Sequence, residues 1–192
     1  MRMPGLVASA MKNEIAFDVE DQDYSVHLLR HEDIAALQTL YEKCADYMFL
    51  VDGHPAGKNA AEEEFQDLPP GKSADDKFMF GIVNPRNELI GLLDAARWYP
   101  DEGTWWIGLL LLVPELRSQG IGEQVLKGFT EYVKADGGKA IMLGVVKDNE
   151  RAYQFWNRMG FEFVRETEPR KFDNKTQTVR IMRRKLWDEK GG

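Results

Sequence analysis

The chain has a single cysteine, Cys44, so no intrachain disulfide can form, and the sequence suits a reducing compartment. A small, buried, inert thiol is the expected role of that side chain. Long apolar runs are also missing. The longest, TWWIGLLLLV at 104–113, falls well short of the roughly 18 residues that a membrane span needs. The opening MRMPGLVASAMKN is interrupted by Pro4 and Gly5 and is too short in its apolar part for a secretion signal, so a cytoplasmic protein with no membrane partner is expected. Basic charge is in deficit. With 25 Lys and Arg against 32 Asp and Glu, the net charge of −7 argues against a surface built to hold nucleic acid or an anionic bilayer. Histidines are few. His27 and His31 straddle a strand end and a helix start with no cysteine or carboxylate cluster around them, so no metal site is expected. Repeats and low-complexity segments are absent as well.

What is present is enough apolar residue, 43% of 192, for one domain with a full core and some N-terminal surplus. Residues 1–22 read as a loosely ordered or partner-dependent extension, and 23–188 as the domain. YSVHLLR (24–30) reads as a first strand. A helix over 31–48 follows, with Ile34, Leu37, Leu40 and Tyr41 at helical spacing. Residues 47–77 read as an irregular rim around a short acidic helix near 59–67. FMFGIV (78–83), LIGLLDAARWY (89–99) and TWWIGLLLLV (104–113) are three apolar runs punctuated by NPRNE and PDEG, which predicts an antiparallel meander. The third run is apolar almost throughout, as a strand buried on both faces would be. A helix with Ile121, Val125, Leu126, Phe129, Tyr132 and Val133 on one face ends at Gly137-Gly138, followed by a strand at 139–146. Another helix and two strands near 161–167 and 176–187 complete the order. The expected fold is one α/β domain around a mostly antiparallel sheet, with 104–113 and 139–146 as a parallel pair joined by a crossover helix.

The loop VPELRSQGIG (113–122) lies between a buried strand and a long helix, where free amides and a positive dipole end make an anion site. Three phosphate motifs can be compared there and elsewhere. A dinucleotide fingerprint fails because its third small position holds Val125, and because the turn does not follow the strand directly. PPGKS at 69–73 ends like a P-loop, yet Gln66 stands at the required upstream glycine and no apolar strand precedes it. The pattern that remains is Arg117-x-x-Gly120-x-Gly122 after a strand ending in Val113-Pro114. With Asn149, Ala152 and Gly160-Phe161 in DNERAYQFWNRMGF (148–161), and with the order of elements from about 24 to 187, it resembles the GNAT superfamily of N-acetyltransferases.

The resemblance implies a single domain in which the parallel pair splays apart, with acetyl-CoA as the acyl donor and a primary amine of a small molecule or peptide as the acceptor. It implies that Leu110, Leu111 and Leu112 offer backbone groups to the pantetheine arm. The amides of Ser118, Gln119, Gly120, Ile121 and Gly122, with Arg117, would hold the pyrophosphate, and Asn149 would reach the pantetheine region or cap its helix. At the position where the family often keeps a proton-donating tyrosine, this chain has Trp156. An indole cannot serve as an acid near neutral pH, so Trp156 is expected either to line the thioester sulfur or to fill the core. Tyr153, roughly 60° round the same helix, is the substitute acid to weigh against a packing role. The strand 104–113 carries no carboxylate where many relatives place a glutamate. Asp94, inside the apolar run LLDAA, is the candidate base, since a carboxylate there needs either a partner, such as Arg97, or a raised pKa. His54, in a loop expected to overhang the acceptor, is a weaker candidate. Aromatic walls and scattered carboxylates would suit a cationic amine. A homodimer is left open, and so is the alternative that the chain is a catalytically silent CoA-binding module of the same fold.

Overall fold

Alternation and turn chemistry build the sheet outward from its centre. The computed structural model describes residues 15–19 and 24–187. Its strands, in chain order, are β1 (Ile15–Asp18), β2 (Ser25–Leu28), β3 (Lys77–Val83), β4 (Leu89–Arg97), β5 (Thr104–Leu112), β6 (Ala140–Val146), β7 (Glu162–Glu166), β8 (Arg170–Phe172), β9 (Lys175–Gln177) and β10 (Val179–Lys185). The helices are α1 (Ile34–Lys43), α2 (Ala45–Val51), α3 (Ala60–Gln66), α4 (Ile121–Ala135) and α5 (Glu150–Arg158). Eight strands form one sheet in the order β1-β2-β3-β4-β5-β6-β10-β7, and β8 and β9 pair separately. β3, β4 and β5 are the expected antiparallel meander, and β5 and β6 are a parallel pair joined through α4.

Side-chain alternation gives the sheet two dissimilar faces. Phe80 on β3 and Trp105 on β5 meet Phe129 of α4, each with ring centroids 5.7 Å apart, and all three rings are fully buried. Full burial of such a side chain is worth about 1.5–3 kcal/mol, so this aromatic layer anchors α4 and sets where its N-terminus lies. The opposite face carries Met79 and Asp94, which are directly opposed across β3 and β4, and it is covered by α1, on which α3 packs.

Three sequence-based expectations need correction. Ile15–Asp18 falls within the stretch expected to be an extension, yet it adds an edge strand to β2. Phe17 supplies the reason: its ring lies 5.8 Å from Phe80 and 6.2 Å from Tyr132, so it covers apolar surface that the sheet would otherwise expose. The remainder of 1–22 lies outside the described residues apart from Val19. The helix expected over 31–48 breaks at Cys44, whose φ of −100° and ψ of 31° turn the chain between α1 and α2. Finally, the β8–β9 hairpin was not anticipated. Three-residue strands with mixed polarity carry no usable period, and this hairpin is held by contacts distant in sequence: Lys175 Nζ to Leu50 O at 3.0 Å and Gln177 Nε2 to the Leu50 carbonyl at 3.2 Å.

Candidate active site

A bulge in the central meander opens the sheet. Asp94 on β4 faces Leu109, while the next residue, Ala95, faces Ile107, so Gly108 has no partner. A bulge of this kind bends its strand and increases its twist. The consequence is visible on the other edge of β5, where pairing with β6 runs only from Thr104–Ala140 to Ile107–Leu143 and then ends. Beyond that point β5 continues to Leu112 and β6 to Val146, leaving a splay between them. The Val113 N–H donates to Ile90 O at 3.0 Å, so by antiparallel alternation the backbone groups of Leu112 and Leu110 turn away from β4, toward the splay. Leu111, between them, directs its backbone to β4 and is buried.

The loop that follows is shaped by residues of unusual conformation. Ser118 has φ of 62° and Gly120 φ of 85°, and a Cβ on Gly120 would meet nothing within 4 Å. The first hydrogen bonds of α4 run from Glu123 and Gln124 N–H to Gly120 O, each 3.1 Å, so the amides from Ser118 to Gly122 precede the helical ladder and are available to an anion. Arg117 does not point at that space. Its Nε donates to Leu112 O at 2.8 Å and its guanidinium forks onto the Asp46 carboxylate of α2, which it holds below the usual carboxylate range. Gln119 Nε2 turns back to Glu115 O at 2.6 Å. The side chain that does reach the loop is Arg151, from the first turn of α5, whose Nη2 donates to Ser118 Oγ at 2.9 Å. Sequence reading passed over Arg151; its signal was its place two residues after Asn149 on a helix that faces the glycine loop.

α5 presents its aromatic residues in three directions. A Cβ on Gly122 would lie 3.6 Å from Phe155 and 3.8 Å from Leu112, so Phe155 is the ring that borders the splay. Trp156 is 7% exposed and packs edge-on to Phe155 and Phe161, with centroids at 5.0 and 5.1 Å; it is part of the core. Tyr153 is two residues from Phe155, about 200° round the helix. Its ring lies under the Arg180 guanidinium, 4.4 Å from the centroid, so it is not brought to the same side as Phe155. Asn149 caps the helix, its Oδ1 accepting from Ala152 N–H at 3.1 Å.

On the other wall, Asp94 is buried, and a Cβ on Gly108 would collide with its Oδ2. Gly108 itself is exposed and carries no side chain over the carboxylate. Asp94 Oδ1 pairs with Lys77 Nζ at 3.3 Å. Arg97, the partner weighed from the sequence, instead pairs with Asp136 at 2.8 Å. Burial, then the charge of Glu64, push the Asp94 carboxyl up to about 7 despite Lys77. His54 faces two acceptors, Pro55 O from Nδ1 at 2.7 Å and Asp173 Oδ2 from Nε2 at 2.6 Å. Only the protonated ring donates to both, and these two contacts raise its pKa, so it ties the β8–β9 hairpin down rather than offering a free base. Among the described residues no group of three or more His, Cys, Asp or Glu side chains is arranged to hold a metal ion, and no helix is long and apolar enough to cross a membrane.

Comparison with known proteins gives the same fold. A stretch of 56 residues, 29% of this chain and 37% of the relative, is 36% identical to N-alpha-acetyltransferase 30 of Schizosaccharomyces pombe, so the match spans well under half of that protein. Among solved structures, RimL, the ribosomal L7/L12 alpha-N-protein acetyltransferase, superposes with a TM-score of 0.74 at 19% identity, covering 90% of this chain and 94% of its own. Spermidine N-acetyltransferase from Vibrio cholerae, in complex with CoA and spermine, gives 0.68 at 16% identity over 85% of this chain and 96% of its own. The model of the Acetyltransferase (GNAT) family matches residues 34–161, a span running from α1 through the bulge, the glycine loop and α5. With the splayed parallel pair and the Arg-x-x-Gly-x-Gly loop inside that span, the chain belongs to the GNAT family of acetyltransferases.

Proposed function

We propose that the chain transfers an acetyl group from acetyl-CoA to a primary amine of a small molecule or peptide, by direct attack in a ternary complex. The observation that carries this reading is the Asp94 carboxylate, held at a bulge where the sheet opens, with a proton affinity suited to exchange near neutral pH. The splay fits the donor. Leu110 turns its backbone groups and Leu112 its N–H toward it, the Leu112 carbonyl being taken by Arg117, so an extended amide chain can add there as a strand would, with Leu112 and Phe155 as apolar walls. The Ser118–Gly122 amides and the dipole of α4 suit a pyrophosphate, with Arg151 as the nearby cation and Asn149 at the start of α5. Arg117 and Gln119 would shape the loop rather than touch the phosphates.

Bound acetyl-CoA supplies an activated acetyl thioester. The chain's own residues then have a short task, because an amine needs only to be deprotonated and placed. Asp94 accepts the ammonium proton at Oδ2, and the exposed backbone at Gly108 lets the acceptor approach it. No side chain of α5 is assigned as an acid: Trp156 is buried and Tyr153 lies under Arg180, so water is the proposed proton source for the departing thiol. The relatives named above act on a protein N-terminus and on a polyamine, which are both amines. The cluster of Asp94, Glu64 and Lys77 carries a net negative charge while Asp94 is ionised, which suits a cationic acceptor. A cytoplasmic setting fits a chain with one buried thiol.

The test is release of free thiol from acetyl-CoA in the presence of polyamines and short peptides with free N-termini. Amine-dependent release that Asp94→Asn abolishes supports the reading. CoA binding without release for any such amine would indicate the silent CoA-binding module instead.

A further inference from the structure

Behind Asp94 lies a set of side chains that the reaction as described does not use. On the face shared with Asp94, β3 directs Lys77 at a diagonal to it, since Lys77 stands opposite Ala96 and Met79 opposite Asp94. The Lys77 side chain is 7% exposed. Its ammonium donates to Glu64 Oε1 at 3.1 Å and to the Asp67 carbonyl at 2.8 Å, and it forms an ion pair with Asp94 Oδ1 at 3.3 Å without hydrogen-bond geometry. The second oxygen of Glu64 is taken too, because the Tyr41 hydroxyl donates to Oε2 at 3.0 Å. Every contact in this chain of groups therefore points one way. Lys77 is fixed by α3 and the segment after it, Asp94 Oδ1 lies beside the Lys77 ammonium, and Asp94 Oδ2 faces Gly108.

Building on the reading of Asp94 as the base, we propose that Lys77 is a positioning residue that aims and tunes Asp94, and that Glu64, anchored by Tyr41, is its counterweight. Two carboxylates share one ammonium, so the cluster carries a charge of −1 while Asp94 is ionised and zero once it is protonated. When the acceptor's N–H bond breaks and an O–H bond forms at Oδ2, the cluster moves from the charged to the neutral state inside a dry site, which favours the transfer. Proton return to solvent resets it. The groups facing Asp94 are Lys77 from β3, Glu64 from α3, Asp67 beyond it and Tyr41 from α1, with Tyr47 of α2 adjoining Tyr41; across β5 Gly108 presents no side chain. Lys77 pulls the Asp94 carboxyl down and Glu64 pushes it up.

This arrangement makes a two-directional prediction that a merely structural role would not. The acid limb of kcat/KM against pH marks deprotonation of Asp94. Lys77→Met should move that limb up by about one pH unit or more, and Glu64→Gln should move it down, by a similar order. The same shifts should be read on the Asp94 carboxyl carbon by ¹³C NMR titration, assigned against Asp94→Asn, which needs no turnover. If Lys77→Met does not fold, Glu64→Gln decides alone. Opposite shifts support the proposal. An unmoved limb and unmoved titration in folded variants, or shifts in the same direction, overturn it while leaving Asp94 as the base. An acid limb that persists in Asp94→Asn removes the base assignment itself, a separate failure that the titration distinguishes from loss of tuning.

Discussion

The β4–β5 wall of the splay is apolar along nearly its whole length and is interrupted by one carboxylate, Asp94, opposite the bare Gly108. The α5 wall is rich in groups that look chemical: a tyrosine, a tryptophan, arginines and an asparagine. Yet on α5 the tryptophan is packed between two rings, the tyrosine lies under Arg180 and the asparagine caps its own helix. On the other wall the lone carboxylate has a proton affinity shifted toward neutrality and an oxygen directed at exposed backbone. The contrast teaches that reactive polarity sits where a burial pattern is violated, because a buried charge without full compensation is costly and is retained at sites that use it. Conspicuous aromatics within a regular amphipathic pattern are accounted for by packing.

The sharpest way to break the comparison is to remove the violation. Asp94→Asn should lower kcat/KM by about 10²-fold or more and abolish the acid limb, measured by thiol release across pH. In the parent protein that limb falls as pH drops through about 7, since only ionised Asp94 can accept a proton. Filling the bare position should act on the same wall. Gly108→Ala places a Cβ against Asp94 Oδ2, so kcat/KM should fall by roughly 10-fold. Overpacking of about 1–3 kcal/mol should also lower Tm by about 2–10 °C, read by calorimetry.

The α5 wall should respond more weakly, and in binding rather than chemistry. Arg151→Ala should weaken CoA affinity by about 10-fold, measured by titration calorimetry, with kcat at saturating donor nearly unchanged, because only a charge-assisted contact to the anion site is lost. Tyr153→Phe should change kcat by less than about twofold. A loss of 10²-fold in that variant would return the acid to α5 and dissolve the contrast between the walls.

The sheet was largely legible from the sequence. The meander followed from turn residues between apolar runs, and α4 from a clean 3.6-residue period ending at Gly137-Gly138. The glycine loop and the family were legible for a related reason: Gly120 needs a positive φ, a position that tolerates few residues. Element ends at Cys44, the edge strand at Ile15–Asp18 and the β8–β9 hairpin were not legible, because each depends on a partner from elsewhere in the chain. Within the site, Asp94 announced itself as a polar residue in LLDAA. Its partner did not, since Arg97 is nearer in sequence and Lys77 is nearer in space.

Local pattern and composition thus determined the class of fold, the loop for an anion and the suspicion attached to Asp94. Those features rest on short-range backbone geometry and on the cost of burying charge, and both can be read along the chain. Which way each side chain points was decided only in three dimensions. The bulge at Gly108 opened the sheet, the turn of α5 sent Tyr153 away from the splay and Phe155 toward it, and the folding of α3 over β3 brought Glu64 and Lys77 to Asp94. Contacts between residues far apart in sequence carry no signature in either residue's neighbours, so tertiary packing alone could select them.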